Sequence, residues 1–282
     1  MTDEKYVDAS KISIREINKT IARDWIVKKH YTHRMNGCRY ALGVYADGEA
    51  SKFFEDTEKL IGVIVYAHPV SNKAVGSIVG LDDLINDNVL ELIRLHIDDG
   101  YGKNVESLVI GKSFEWLRQN DPRVKVLISY ADPEVGHAGK IYQATNWLYQ
   151  GCGVSKLMPD YSLQLEEGGP WMHSRTVGQK FGNKKIENLA KAIGHTFYRK
   201  EETAKHRYIY FLCDKKERKR LLKKIKLPIL PYTELSKFSI LDQLIQKVTV
   251  DREGNVVSID TVSGTGDGSF TLKAEWRPNE SD

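Results

Sequence analysis

Residues 91–107 read ELIRLHIDDGYGKNVES, and the way this stretch folds decides how the rest of the chain is arranged. The apolar run Leu90 to Ile97, with Arg94 inside it, predicts a strand that stops at Asp98-Asp99-Gly100-Tyr101-Gly102. Val105, Leu108, Val109, Ser113 and Trp116 then recur at helical spacing through about Arg118. Asp121-Pro122 closes that helix, and the strongly apolar segment Val124 to Tyr130 predicts another strand. Closely spaced glycines between a strand and a helix point unpaired backbone N–H groups at one spot, and the helix dipole adds to their preference for a phosphate or pyrophosphate. A tight turn with no ligand uses the same residue types, so the glycine pair alone leaves both readings open.

Upstream, Ile12, Ile14 and Ile17 mark a strand, and Lys19 to Lys29 a helix with Ile21, Trp25 and Ile26 on one face, ending at His30-Tyr31. Tyr40 to Tyr45 and Leu60 to Tyr66 predict an antiparallel pair, with Asp47, Gly48 and Glu49 in its connection. Downstream, Ile141 to Gln150 reads as a short helix ended by Gly151, Tyr161 to Leu165 and Lys205 to Cys213 as strands, and Lys215 to Lys226 as a basic helix stopped by Pro228 and Pro231. The expected layout is one catalytic domain over residues 1–230, interrupted by a basic insertion at about 167–204 before the last core strand. A C-terminal appendage over 231–282 holds a short helix, Ile240 to Gln246, and a hairpin from Val248 to Val262 turning at Glu253-Gly254-Asn255.

Composition sets the class. Hydrophobic residues are 41% and charged residues 28%, a globular balance too apolar for a disordered chain. No run reaches the roughly 18 apolar residues of a membrane helix, and Met1 to Lys5 lacks the basic and apolar regions of a secretory signal, so a cytoplasmic protein without membrane contact is expected. Cys38, Cys152 and Cys213 form no CxxC pair, which argues against a disulfide framework or structural zinc. The net charge of +4 is mild, but Lys and Arg concentrate between about residues 175 and 226, and that local excess points to a nucleic-acid partner more than the total does.

The order of elements resembles the GNAT acyltransferase fold, in which a central strand splays from its neighbour and a glycine turn holds the pyrophosphate of coenzyme A. More narrowly, KKHYTHRM (28–35), LGVY (42–45), ELIRLHIDDGYGKNVES (91–107), VLISYADP (126–133), IYQATNW (141–147) and KHRYIYFL (205–212) resemble segments of the Mom family of Mu-like phages, over roughly residues 12 to 232. Ile97 stands where the general GNAT turn begins with Arg or Gln. The fold the resemblance implies is α/β, with a mixed, mostly antiparallel central sheet flanked by helices. The activity it implies is placement of a carbamoylmethyl-type group on N6 of adenine in phage DNA, inside the host cytoplasm, shielding that DNA from restriction.

Carried onto this sequence, the family's important positions are His30, Tyr31, Arg94, Ser129, Asp132 and Tyr142. His30 suits proton transfer near neutral pH, and Asp132 at the mouth of an apolar strand suits a general base or, equally, an Asx turn before Pro133. Ser129 and Tyr130 alternate, so only one of them faces a cleft. Arg94 needs an anion, or an ion pair with Glu91 or Asp98. The donor, acetyl-CoA or another activated compound, is expected at Arg94, Gly100, Tyr101, Gly102, Lys103, Asn104 and Ser107, with Asn146 on the same helical face as Tyr142.

The N6 lone pair is delocalised into the ring, which makes the amine a poor nucleophile, and a methylene-linked product is not what ordinary acetyl transfer gives. Iron held by His30, Tyr31 and Asp132 is one source of the missing activation. DNA itself is expected along Arg34, Arg175, Lys180, Lys184, Lys185, Arg199 and Lys200, with Tyr31, Tyr40 and Trp171 as stacking partners for a displaced base. A monomer or a homodimer fits these readings. Two competitors keep part of them: a GNAT-like enzyme acylating a protein or small-molecule amine, and a noncatalytic DNA-binding module.

Overall fold

Strand β1 (Ile12–Glu16) leads into helix α1 (Lys19–Lys29), whose first turn is capped by the Asn18 side chain accepting from the Thr20 N–H. Ala22 and Ile26, four residues apart, are its buried face. The computed structural model describes residues 8–47, 58–70, 72–133, 136–152, 160–202, 204–232, 245–264 and 270–276. Gly48 and Glu49 of the expected connection, and residues 240–244 of the expected tail helix, lie outside that set.

By contact the chain forms two compact units, the first comprising Met1–Ala131, Ala138–Cys152 and Lys205–Thr233. After β1 its strands are β2 (Tyr40–Ala46), β3 (Lys59–Ala67), β4 (Val89–Ile97), β5 (Val126–Ala131) and β6 (Leu148–Cys152). Strands β7 (Tyr161–Gln164) and β8 (Phe197–Glu201) belong to the other unit, and β9 (His206–Phe211) returns to the first. The seven strands run in the order β1-β2-β3-β4-β5-β9-β6, all neighbours antiparallel except β4 and β5, so the sheet is mixed and mostly antiparallel as expected.

Helices cover both faces of this sheet. Val105, Val109, Ile110, Phe114 and Leu117 of α3 (Val105–Asn120) pack with Leu42, Ile64, Leu92 and Leu127. On the opposite face Ala22 and Ile26 of α1 meet Ala41, Val63 and Val65. Further along that second face, Val75 of α2 (Asn72–Gly76) and Leu221 of α7 (Lys215–Leu222) cover Val126, Ile128, Ile209 and Phe211. The alternation of these strand residues assigns each helix to its side.

The expected helix Ile141 to Gln150 is corrected. Helix α4 spans only Lys140–Ala144, and Leu148–Cys152 is the edge strand β6, paired with β9. Asn146 takes a left-handed φ of 60°, which reverses the chain, and pairing with a distant strand overrides local helical preference.

The second unit comprises Asp132–His137, Gly153–Ala204 and Glu234–Asp282. Its sheet runs β12-β11-β10-β8-β7, where β10 is Ile245–Val250, β11 Val256–Gly264 and β12 Phe270–Trp276. The sequence reading separated the insertion from the tail, whereas β8 pairs with β10 (Lys200 opposite Ile245, Phe197 opposite Val248), so one sheet holds both. Ile245 and Gln246, expected at a helix end, are strand residues there. Helices α5 (Ser174–Phe181) and α6 (Ile186–Ile193) contribute Val177, Leu189 and Ala190 to a core with Leu163, Phe197 and Val248.

Candidate active site

The feature that organises the first unit is the parting of β4 from β5. They pair at only three positions, the last Glu91 opposite Ile128, although β4 continues to Ile97 and β5 to Ala131. At the first position past the pairing a side chain replaces the backbone bond: Ser129 Oγ lies 2.8 Å from the Leu92 carbonyl and 2.7 Å from the Tyr142 hydroxyl. A carbonyl only accepts and a serine hydroxyl has one proton, so the chain runs from Tyr142 O–H to Ser129 O–H to Leu92 C=O. Burial pushes the Tyr142 phenol up to about 12, only partly offset by its bond to Ser129. Tyr142 therefore stays protonated through the neutral range, with its proton committed to Ser129 and its lone pairs free to accept.

Tyr142 is held by its surroundings. Its ring centroid is 5.1 Å from Trp147 and 5.2 Å from Tyr208. Tyr208 donates to the Ala138 carbonyl and accepts from Gln143 Nε2 at 3.1 Å. Gly139 precedes α4 at φ 76°, and a Cβ there would lie 2.5 Å from the Tyr208 ring, so both the backbone and the close ring require glycine.

A register break in β4 turns Arg94 to the α1 side of the sheet, opposite the α3 side on which Tyr142 packs. Val65 pairs with Arg94 and Tyr66 with Leu92, leaving Ile93 as the extra residue of a β-bulge. Leu90 and Leu92 lie on the α3 side, Ile93 on the α1 side, and Leu95 and Ile97 on the α3 side again. Arg94 thereby donates from Nε to the Arg34 carbonyl at 2.7 Å, in the loop after α1. Burial pushes its guanidinium down, while the nearby Tyr31, Glu91 and Tyr142 pull it back up. Asp98, one expected partner, instead pairs with Lys29 at 2.7 Å.

His30 is buried and stacks on half-exposed Tyr31, centroids 4.3 Å apart. The Thr32 backbone N–H donates to His30 Nδ1 at 3.1 Å, which leaves the neutral ring's proton on Nε2 and makes that nitrogen a donor. Tyr31, Arg94 and Tyr142 lie within electrostatic range of one another, with Ser129 bonded to Tyr142 and His30 stacked on Tyr31. Glu91 was not singled out as a site residue, yet it acts on Arg94, Tyr130 and Tyr142. In the sequence it figures only as an alternative ion-pair partner of Arg94.

Beyond β4 the turn carries three left-handed residues, Gly100 (φ 93°), Gly102 (φ 96°) and Asn104 (φ 68°), the last being the N-cap of α3. Asn104 makes no side-chain bond into the helix, so the first-turn N–H groups have no cap from it. Gly100, Lys103 and Asn104 are exposed, and Tyr101, Gly102 and Ser107 partly so. This arrangement suits a pyrophosphate. Asn146, expected beside Tyr142 on one helical face, is past the end of α4 and exposed, so that spacing argument fails.

Iron does not fit. Among the described residues no three His, Cys, Asp or Glu side chains come together to hold a metal ion, and His30 Nδ1 is already an acceptor for Thr32. Asp132 falls in the second unit, its carbonyl accepting from the His137 N–H at 3.0 Å.

Of the expected DNA contacts, the Arg34, Arg175, Lys180 and Lys185 side chains are exposed. Lys184 pairs with Asp160 at 2.9 Å, Lys200 stands 5.0 Å over the Trp171 ring, and Arg199 lies 4.3 Å over Tyr161 while donating to Gln246 Oε1. Tyr40 is engaged elsewhere, donating to Asp121 at 2.7 Å and packing against Trp116. No helix of the described residues is long and apolar enough to cross a membrane.

The Methylcarbamoylase mom of Escherichia phage Mu is 28% identical over 223 residues, covering 77% of this chain and 82% of that protein. Among solved structures, Arabidopsis thaliana NAA60 with acetyl-CoA aligns over 71% of this chain and 99% of its own, at 12% identity and a TM-score of 0.41. A GNAT family acetyltransferase from Bacillus anthracis aligns over 73% and 98%, at 11% identity and 0.37. The model of the Mom protein family matches residues 11–234, most of the 282-residue sequence, and the chain belongs to that family.

Proposed function

We propose that this chain is a transferase that places a carbamoylmethyl-type group on the N6 amine of adenine in phage DNA, protecting it from restriction. Family membership and the methylcarbamoylase activity named for the phage Mu relative support the reaction class. The observation that carries it here is the Tyr142–Ser129–Leu92 chain at the parting of β4 and β5. In the reaction N6 bonds to the methylene carbon, that carbon's bond to the donor's leaving group breaks, and N6 gives up one proton. Tyr142 Oη, its own proton spent on Ser129, accepts from an N6–H and orients the amine. Arg94 and His30 Nε2–H supply positive charge and a donor for the leaving group's developing charge. The acceptor of that proton is read as Asp132, a position the resemblance marks as important and a residue type that suits a general base.

The turn from Gly100 to Asn104, with Ser107, would hold the pyrophosphate of a coenzyme-A-type donor. When bound, the donor would have to carry its leaving group on the methylene carbon of a carbamoylmethyl group, because an acetyl thioester, with its leaving thiolate on the carbonyl carbon, would give an N6-acetyl product instead. Adenine N6 pairs with thymine in a duplex, so the nucleotide is taken single-stranded or extruded at a cost of a few kcal/mol. Exposed Tyr31 would stack on it, and Arg34, Arg175, Lys180 and Lys185 would bind phosphates, with Lys184, Arg199 and Lys200 in support.

The test is the nucleoside mass spectrum of DNA from cells expressing the chain. A new deoxyadenosine derivative is expected with the native sequence and not with Tyr142→Phe. Unmodified DNA in both would overturn the reading in favour of another amine acceptor, or of a DNA-binding module if the protein still retains DNA.

A further inference from the structure

Ser129 faces the α3 side of the sheet, which leaves its neighbour Tyr130 on the other side, directly opposite Arg207 of β9. Arg207 alternates with Tyr208, which packs on the α3 side, and shares the face of Ile209 and Phe211. Its Nε and Nη2 are buried and have no hydrogen-bond partner. Among the described residues the group that faces it is the Tyr130 phenol, which burial keeps protonated and uncharged through the neutral range, so it does not neutralise the guanidinium. A buried cation with unmet donors is expensive unless something else completes it.

The two unmet donors say what that is. Nε–H and Nη2–H lie along one edge of the planar guanidinium, the fork that matches two oxygens of a phosphate or carboxylate. Adenine's major-groove edge offers one acceptor and one donor, which does not match it. The missing partner is therefore an oxyanion. The donor's phosphates have their own cradle at the Gly100–Asn104 turn, which opens helix α3, while Arg207 is on the face that α3 does not cover.

We infer that Arg207, flanked by Tyr130, receives one phosphodiester of the DNA strand that carries the target adenine. The inference rests on the proposed function and specifies where that substrate's backbone is gripped.

The experiment uses the full chain, a labelled single-stranded oligonucleotide containing one adenine, and coenzyme A as a separate probe. Arg207→Met is expected to weaken oligonucleotide binding about tenfold. It should also flatten the slope of log K against log salt by about 0.7, one phosphate contact on a single strand, with coenzyme A binding unchanged. Its melting temperature should hold or rise, because an uncompensated buried cation is gone. Arg207→Lys, which keeps the charge and loses the fork, should fall between native and Met.

Native oligonucleotide affinity and salt slope in Arg207→Met would overturn the inference, and a lower melting temperature alongside them would mark Arg207 as a structural, water-bonded residue. Loss of coenzyme A binding with DNA binding intact would reassign the oxyanion to the donor. If the native protein binds no DNA, the functional reading itself falls, an outcome distinct from all of these.

Discussion

At the parting of β4 and β5 the polar groups are buried and bonded to one another, whereas on the sheet that holds β8 cations stand over aromatic rings. Ser129 is fully buried between Leu92 and Tyr142, and Arg94 is tied to the Arg34 carbonyl. In the second unit Arg199 covers Tyr161, Lys200 covers Trp171, and Lys180 lies 5.4 Å over Phe181. A buried, bonded network fixes protons and orients dipoles, which is what a chemical step requires. Cations on rings hold a charged, stackable polymer with little demand on geometry. Substitutions in the two regions should therefore fail in different ways.

The largest separation is expected from Tyr142→Phe, which removes the first link of the chain to Leu92. Modified deoxyadenosine should form about 100-fold more slowly or less, with oligonucleotide affinity unchanged in an anisotropy titration. Next, Gly139→Ala adds a Cβ 2.5 Å from the Tyr208 ring at a left-handed φ, and should destabilise the first unit by about 1–3 kcal/mol, read as a lower denaturation midpoint. In the second unit, Arg175→Glu, Lys180→Glu and Lys185→Glu together should raise the KM for DNA about tenfold at moderate salt and leave kcat alone.

Alkali sharpens the contrast further. The Tyr142 phenol is raised from 10.0 to about 12, so the folded state keeps a proton that the unfolded state loses. That stabilisation is complete below pH 10 and is lost as pH rises through about 12, and Tyr142→Phe should flatten the alkaline limb of a denaturation series. Smallest of all, Lys184→Ala breaks an ion pair whose lysine is half exposed (47%), and should shift stability by under about 1 kcal/mol.

Much of the first unit was legible because local pattern and tertiary role agree there. Helix α1 runs from Lys19 to Lys29 as read from the sequence, although Ile21, expected on the apolar face, is exposed and Ala22 is buried with Ile26 instead, and the strand, glycine turn and helix around Gly100 lie where the sequence places them. The misreadings share one physical origin, pairing between segments far apart in sequence. Leu148–Cys152 is a strand because β9 offers it an edge, and the insertion joins the tail because β10 pairs with β8.

The bulge at Ile93 turns Arg94 toward the α1 side, and a bulge depends on the partner strand's register, which one strand's sequence does not reveal. Ser129 and Tyr142 were found through the family motif, and the bond between them needed coordinates. Arg207 sat in a quoted motif without a role, since only the facing Tyr130 and the absence of an acceptor give it one.

The central claim is that chemistry resides at the parted strands, while the cations of the second unit serve DNA binding alone. Its most direct measurement is the yield of modified deoxyadenosine across a range of expression levels, comparing Ser129→Ala with the triple Arg175, Lys180 and Lys185 to Glu variant. The account expects the triple variant to approach native yield as protein rises, while Ser129→Ala stays low throughout. Native yield from Ser129→Ala, or equal recovery of both variants with dose, would contradict it.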